Sequence, residues 1–163
     1  MKSKSIAESG LFIALILVIL YSAAYLPIST VTILTAASCI IPISMIRNNI
    51  KYSILIYISS SILSLFIIPI KTSLSYILFF GIYGIIKYYI ERINKLSLEI
   101  FLKLVSFNCI LLISYFIFNS LIINLSNITM PLWSLFIAAQ AVFLIYDYAL
   151  TLIITMYINK IHK

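Results

Sequence analysis

Long apolar runs dominate the chain, broken at short intervals by small groups of polar residues or by proline. A membrane-crossing helix needs about 20 mostly apolar residues. Six segments reach or approach that length, at about 6–26, 31–46, 52–68, 73–90, 100–123 and 131–158. The first ends at Pro27 and the third stops before Pro69. The sixth starts at Pro131, a good first-turn residue because its missing N–H has no helical partner there anyway. The second segment is the shortest and carries Pro42 near its end, so three forms stay open for it: tilted, broken at Pro42, or re-entrant. A break would free backbone groups, and that stretch would then have to face protein rather than lipid.

The separators are short, so neighbouring helices are expected to run antiparallel in one membrane domain covering 1–163, without linker, soluble domain or internal repeat. The longest connection, near 88–99, reads as an interfacial helix carrying Glu91, Arg92, Lys95 and Glu99. Its i,i+4 pairs, Glu91 with Lys95 and Glu99 with Lys103, have the favourable order. That surface is either a solvated helix face or a docking surface for a partner.

Composition supports lipid as the solvent. The chain is 64% hydrophobic and 9% charged, against about half apolar and about a quarter charged in soluble domains. The formal charge is +7, from 11 basic and 4 acidic residues. In a soluble protein that balance points to nucleic acid. Here the basic residues sit between apolar segments, where they set orientation. With six spans, Lys2, Lys4, Arg47, Lys51, Lys87, Arg92, Lys95, Lys103, Lys160 and Lys163 share one side, and Lys71 is alone on the other. The positive-inside rule then puts both termini in the cytoplasm of a multi-pass protein of the cell membrane. Removing the second span would scatter these residues over both sides. The expected fold is therefore an all-α bundle of six transmembrane helices. Residues 6–26 are too long for the apolar region of a cleaved leader.

Catalytic chemistry has little footing in this sequence. His162, the sole histidine, lies in the tail. Cys39 and Cys109 sit in apolar runs and read as packing residues rather than a disulfide or metal pair. No phosphate-cradling glycine loop and no metal-spaced cluster occurs. No enzyme activity, cofactor, metal or nucleic-acid partner is expected.

The informative polar residues lie inside the helices. Asp147 is the one acidic residue deep in an apolar segment, where an ionisable group is disfavoured unless it faces the bundle interior or water. It reads either as a structural link, bonded by tyrosines or backbone, or as a contact in a substrate pathway. Trp133, Gln140 and Asp147 succeed one another at seven-residue steps, with Thr151 next, so they share a face expected to look into the bundle. Asn108, Asn119 and Asn124 supply further polar groups, of a kind that commonly links helices. Trp133, Asn124, Asn119 and Gln140, with Asp147 and Tyr25, are the candidate walls of an outward-facing and mostly apolar pocket. Tyrosines such as Tyr21 and Tyr25 also fit the role of interface anchors. Gly10 and Ala14, four residues apart on the first helix, allow close approach by another helix. Gly81 and Gly84 offer a second such place.

The run at 6–15, Ile-Ala-Glu-Ser-Gly-Leu-Phe-Ile-Ala-Leu, resembles the first helix of the substrate-binding S components of energy-coupling-factor transporters. With the stretch from Pro42 to Arg47 it is also similar to the YybS-like membrane proteins. The resemblance covers the whole chain in topology and about ten residues in motif. It implies six helices with both ends inside and a vitamin-like micronutrient bound near the outer face. It also implies a transmembrane coupling subunit packed on Gly10 and Ala14, and separate ATPase subunits. A second reading is a non-transport scaffold of the cell envelope, a class that includes proteins of similar length and topology such as the rod-shape protein MreD.

Overall fold

The structure is a computed structural model describing residues 2–26, 29–93, 95–121 and 132–161. Among these the chain is helical, with no strand. Six helices are long and apolar enough to cross a membrane. They are α1 (Lys2–Tyr25), α2 (Thr30–Asn48), α3 (Ile50–Ile67), α4 (Ile70–Glu91), α5 (Leu96–Leu121) and α6 (Leu132–Ile161). Large apolar side chains such as Phe66, Ile145 and Met156 point outward. In water such a surface would be a severe aggregation liability. Against acyl chains it is the expected exterior, and the chain reads as a multi-pass membrane protein.

Local chemistry sets where helices stop. Asn49 alone joins α2 to α3, at φ 93°. Asn is among the few side chains that tolerate this left-handed region. Between α3 and α4, Ile68 is extended because Pro69 comes next. Pro69 then leads α4, where the missing N–H costs nothing. Side-chain contacts fix the directions. Ser44 meets Ser53 across the α2–α3 turn. Tyr57 meets Ile77 and Ser64 meets Ser73 across α3 and α4. Lys103 meets Asp147 and Asn108 meets Gln140 across α5 and α6. Along both of these last two interfaces the partners step forward on one helix and backward on the other, so the helices run antiparallel.

The second helix resolves alternatives that the sequence left open. It is unbroken through Pro42 and two residues longer at its end than expected. It is also the central element, packed against α1, α3, α4 and α6. Pro42 takes the helical donor from the Ser38 carbonyl, and that carbonyl faces Gly84 of α4. A Cβ at Gly84 would stand 3.1 Å from Pro42 Cδ and 3.4 Å from Ser38 O. The close approach expected at Gly84 thus occurs, and it lets α4 lie on the proline.

The fourth helix contains a π turn at Tyr76–Gly81. Tyr57 of α3 fills the space beside Gly81 and donates its hydroxyl to the Ile77 carbonyl at 2.9 Å. Among the described residues, no separate helix spans 88–99. The α-helix of α4 continues to Glu91 and α5 begins at Leu96, so that stretch is the tail of one span and the head of the next. The expected pairs, Glu91 with Lys95 and Glu99 with Lys103, do not form among the described residues. Glu91 and Lys103 are drawn inward to other partners.

Candidate functional site

Helices α4, α5 and α6 are not pressed together along their whole length. With α2 they leave an apolar cavity of about 300 Å3. Phe79 and Phe80 line it from α4, Phe107 and Leu111 from α5, and Phe143 and Tyr146 from α6. Val31 of α2, Ala139 and Val142 complete the apolar wall, and Ser75 and Ser114 add hydroxyls. The rings brace one another. Phe107 stacks on Phe143 with centroids 4.2 Å apart, and Phe79 meets Phe80 edge-on at 5.0 Å. Such offset and edge-to-face arrangements are favourable beyond the area they bury. They give the cavity stiff walls.

Tyr83 connects this aromatic layer to a group of charges centred on the buried Lys87. Its ring lies against Phe79, Phe143 and Tyr146. Its hydroxyl donates to Asp147 Oδ1 at 2.7 Å. The same carboxylate oxygen pairs with Lys87 Nζ, while Oδ2 accepts from Lys103 Nζ at 3.0 Å. Glu91 Oε1 takes Lys87 at 2.7 Å and Lys103 at 3.0 Å. Lys87 also donates to Thr151 Oγ1 at 2.8 Å. Lys87 is 0% exposed, so its ammonium has no recourse to water. Buried charges persist only when paired and hydrogen-bonded. Two lysines and two carboxylates meet that condition with no net charge.

The quartet gives Asp147 its partners within the chain. That residue is a link between helices, bonded by a tyrosine as expected, and also by two lysines. Lys87 and Lys103, which the sequence places around the connection between the fourth and fifth spans, are those lysines. The spacing of Lys87 to Glu91, one helical turn, and their nearness to the apolar run were the available signals.

The other candidate residues are dispersed. Gln140 donates to Asn108 Oδ1 at 2.9 Å, and so faces the bundle as expected, but it does not line the cavity. Tyr25 is 61% exposed, packs on Tyr21 with centroids 4.6 Å apart, and is outside the cavity wall. Asn124 falls outside the described residues, as do the side chains of Asn119 and Trp133. Gly10 has nothing within 4 Å of where a Cβ would stand, and Ala14 is exposed, so this face of α1 is open. The sequence reading missed the aromatic wall. Phe79, Phe80 and Tyr83, with Phe143 and Tyr146 at helical spacing, were its visible trace. Among the described residues no His, Cys, Asp and Glu gather as a metal site. No protein-family model matches this chain, and no curated protein or solved structure does either.

Proposed function

We propose that this chain is the membrane-embedded binding subunit of an uptake system for a small, mostly apolar or aromatic micronutrient. The aromatic cavity of about 300 Å3 among α2, α4, α5 and α6 carries this reading. Small-molecule sites are typically concave, largely apolar and lined by aromatic side chains with few polar groups. The sequence resemblance to S components of energy-coupling-factor transporters adds the transport context. In this reading both termini are cytoplasmic, by the loop-charge asymmetry. The open face at Gly10 and Ala14 receives a transmembrane coupling subunit, and energy comes from separate ATPase subunits.

A thermal-shift screen of the purified chain against aromatic vitamins and their precursors tests the reading. A ligand stabilises in proportion to the logarithm of its concentration over its dissociation constant, so the shift must grow with dose. Ala139→Phe, which puts a ring into the cavity, should abolish the shift while the variant still folds. No shift with any compound, together with no ATPase subunit on copurification, defeats the proposal. Orientation has its own readout in a variant lacking Cys39 and Cys109. A membrane-impermeant thiol reagent should label Lys71→Cys on intact cells and leave Lys51→Cys unlabelled.

A further inference from the structure

The wall of the aromatic cavity holds no charged side chain among the described residues. The sequence around it is equally bare. No Asp, Glu, Lys, Arg or His occurs in 28–46, 72–86 or 104–146, the stretches that supply the wall. The charges on the far side of Tyr83 are committed to one another. Asp147 Oδ1 takes Tyr83 and Lys87, and Oδ2 takes Lys103. Lys87 gives its other donors to Glu91 and Thr151. A charged solute entering this cavity would leave water without meeting a counter-charge, and a buried charge persists only when it is paired.

Two hydroxyls, those of Ser75 and Ser114, are the polar groups of the wall. Along α5, Lys103, Phe107, Leu111 and Ser114 follow at steps of four, four and three and so share a face. Phe107 stacks on Phe143 and meets Phe79 of α4 at 5.6 Å. Lys103 is one turn to one side of that ring, and Ser114 is two turns to the other. On α4, Phe79 likewise separates Ser75 from Lys87. Both hydroxyls therefore stand at the end of the cavity away from the ionic quartet. Ser75 already donates to the Lys71 carbonyl at 2.9 Å, a common habit of helical serines. Ser114 is half-buried and makes no hydrogen bond among the described residues, and its hydroxyl is not sealed from the space around it. It is free both to donate and to accept.

We infer that the solute is uncharged, with an aromatic body against Phe79, Phe107 and Phe143 and one neutral hydrogen-bonding group met by Ser114. This rests on the binding role proposed for the cavity and narrows it, excluding carboxylates, phosphates and ammonium compounds. An anionic solute would have to reach Lys71, which is exposed and outside the cavity wall, one turn beyond Ser75.

Dose-dependent thermal shifts of the full chain in neutral detergent test the inference, with indole-3-ethanol, indole-3-acetate and tryptamine as probes. The three share a ring and a short arm, and at neutral pH they are uncharged, anionic and cationic. Ala139→Phe, which fills the cavity, supplies the background from the detergent and the protein surface. Indole-3-ethanol should bind the parent about tenfold or more tighter than either charged probe, and should give no saturable shift with Ala139→Phe. Ser114→Ala should weaken indole-3-ethanol about fivefold, the loss of one hydrogen bond. It should leave 3-propylindole, of similar shape without the hydroxyl, unchanged. Equal weakening of both compounds would make Ser114 a packing residue and overturn its part in recognition. Equal or tighter binding of a charged probe would overturn the uncharged assignment and leave the cavity as a binding site, with Lys71 as the counter-charge if Lys71→Gln abolishes the indole-3-acetate shift. No saturable shift with any probe would overturn this inference, whereas the binding role itself falls only with the wider vitamin screen.

Discussion

The two halves of the bundle are joined by different chemistry. In the α1–α2–α3 half, small residues let the helices approach closely. Ser53, Ser60, Ser61 and Ser64 make a buried stripe on α3. Ser44 bonds to Ser53 at 2.6 Å, and Ser60 meets Tyr76 of α4 at 2.9 Å. In the α4–α5–α6 half, bulky rings and a partly buried ionic quartet hold the helices. Rings and lysines keep backbones apart, and the aromatic cavity is the space they leave. A bundle in lipid lacks a hydrophobic drive between helices, so it can be joined either by proximity or by polar contacts. Only the second mode readily makes room for a ligand.

Removing Asp147 puts this contrast to its severest trial. Asp147→Ala leaves Lys87 and Lys103 short of a counter-charge and should destabilise by about 3–5 kcal/mol, the usual loss when one partner of a buried pair is deleted. Thermal melting in detergent reads it, and an unchanged melting temperature would mean that the quartet does not hold the second half. Replacing both partners, Lys87→Met with Asp147→Leu, should recover most of the loss, because well-packed apolar residues often match a buried ion pair. The next largest effect lies where the halves meet. Gly84→Leu drives a side chain into Pro42 and should destabilise by about 1–3 kcal/mol. Less again is expected at the α3–α4 contact, where Ser60→Ala should shift stability by about 0.6 kcal/mol, a typical figure for an interhelical hydrogen bond in a membrane protein. Gly10→Leu should change stability by less than about 0.5 kcal/mol, as open surface sites do. It should nonetheless abolish copurification of a coupling subunit if that face is a contact. A large loss of stability instead would show that α1 packs there within the chain.

The spans were legible in the sequence because lipid imposes a length and a polarity that each segment must meet alone. Features that depend on a neighbour were not. A break at Pro42 stayed open in the sequence because its compensation, Gly84, lies on another helix. Lys87, Glu91 and Lys103 were legible as charges flanking a connection, because a linear reading sees their flanks and not their partners on other helices. Asp147 stood out because nothing like it surrounds it in sequence. Its lysine partners became visible only once α4 and α5 were set beside α6. The candidate pocket was sought among amides, since polar groups are conspicuous in an apolar chain. The cavity among the described residues is lined by apolar side chains, four phenylalanines among them, which such a chain contains in plenty and which carry no mark of their own.

The π turn in α4 governs how that helix addresses its neighbours. Ser73, Tyr76, Phe80, Tyr83 and Lys87 recur at alternating steps of three and four, the spacing of a single stripe on a straight α-helix. An extra residue in one turn rotates the later turns by about 100° relative to the earlier ones. The stripe is thereby split. Its front part turns to α3, where Ser73 and Tyr76 meet Ser64 and Ser60. Its rear part turns to α6, where Tyr83 and Lys87 meet Asp147. The turn acts as a crankshaft, converting one linear repeat into two directions of contact, and its phase aligns the serine-joined half of the bundle with the ionic half.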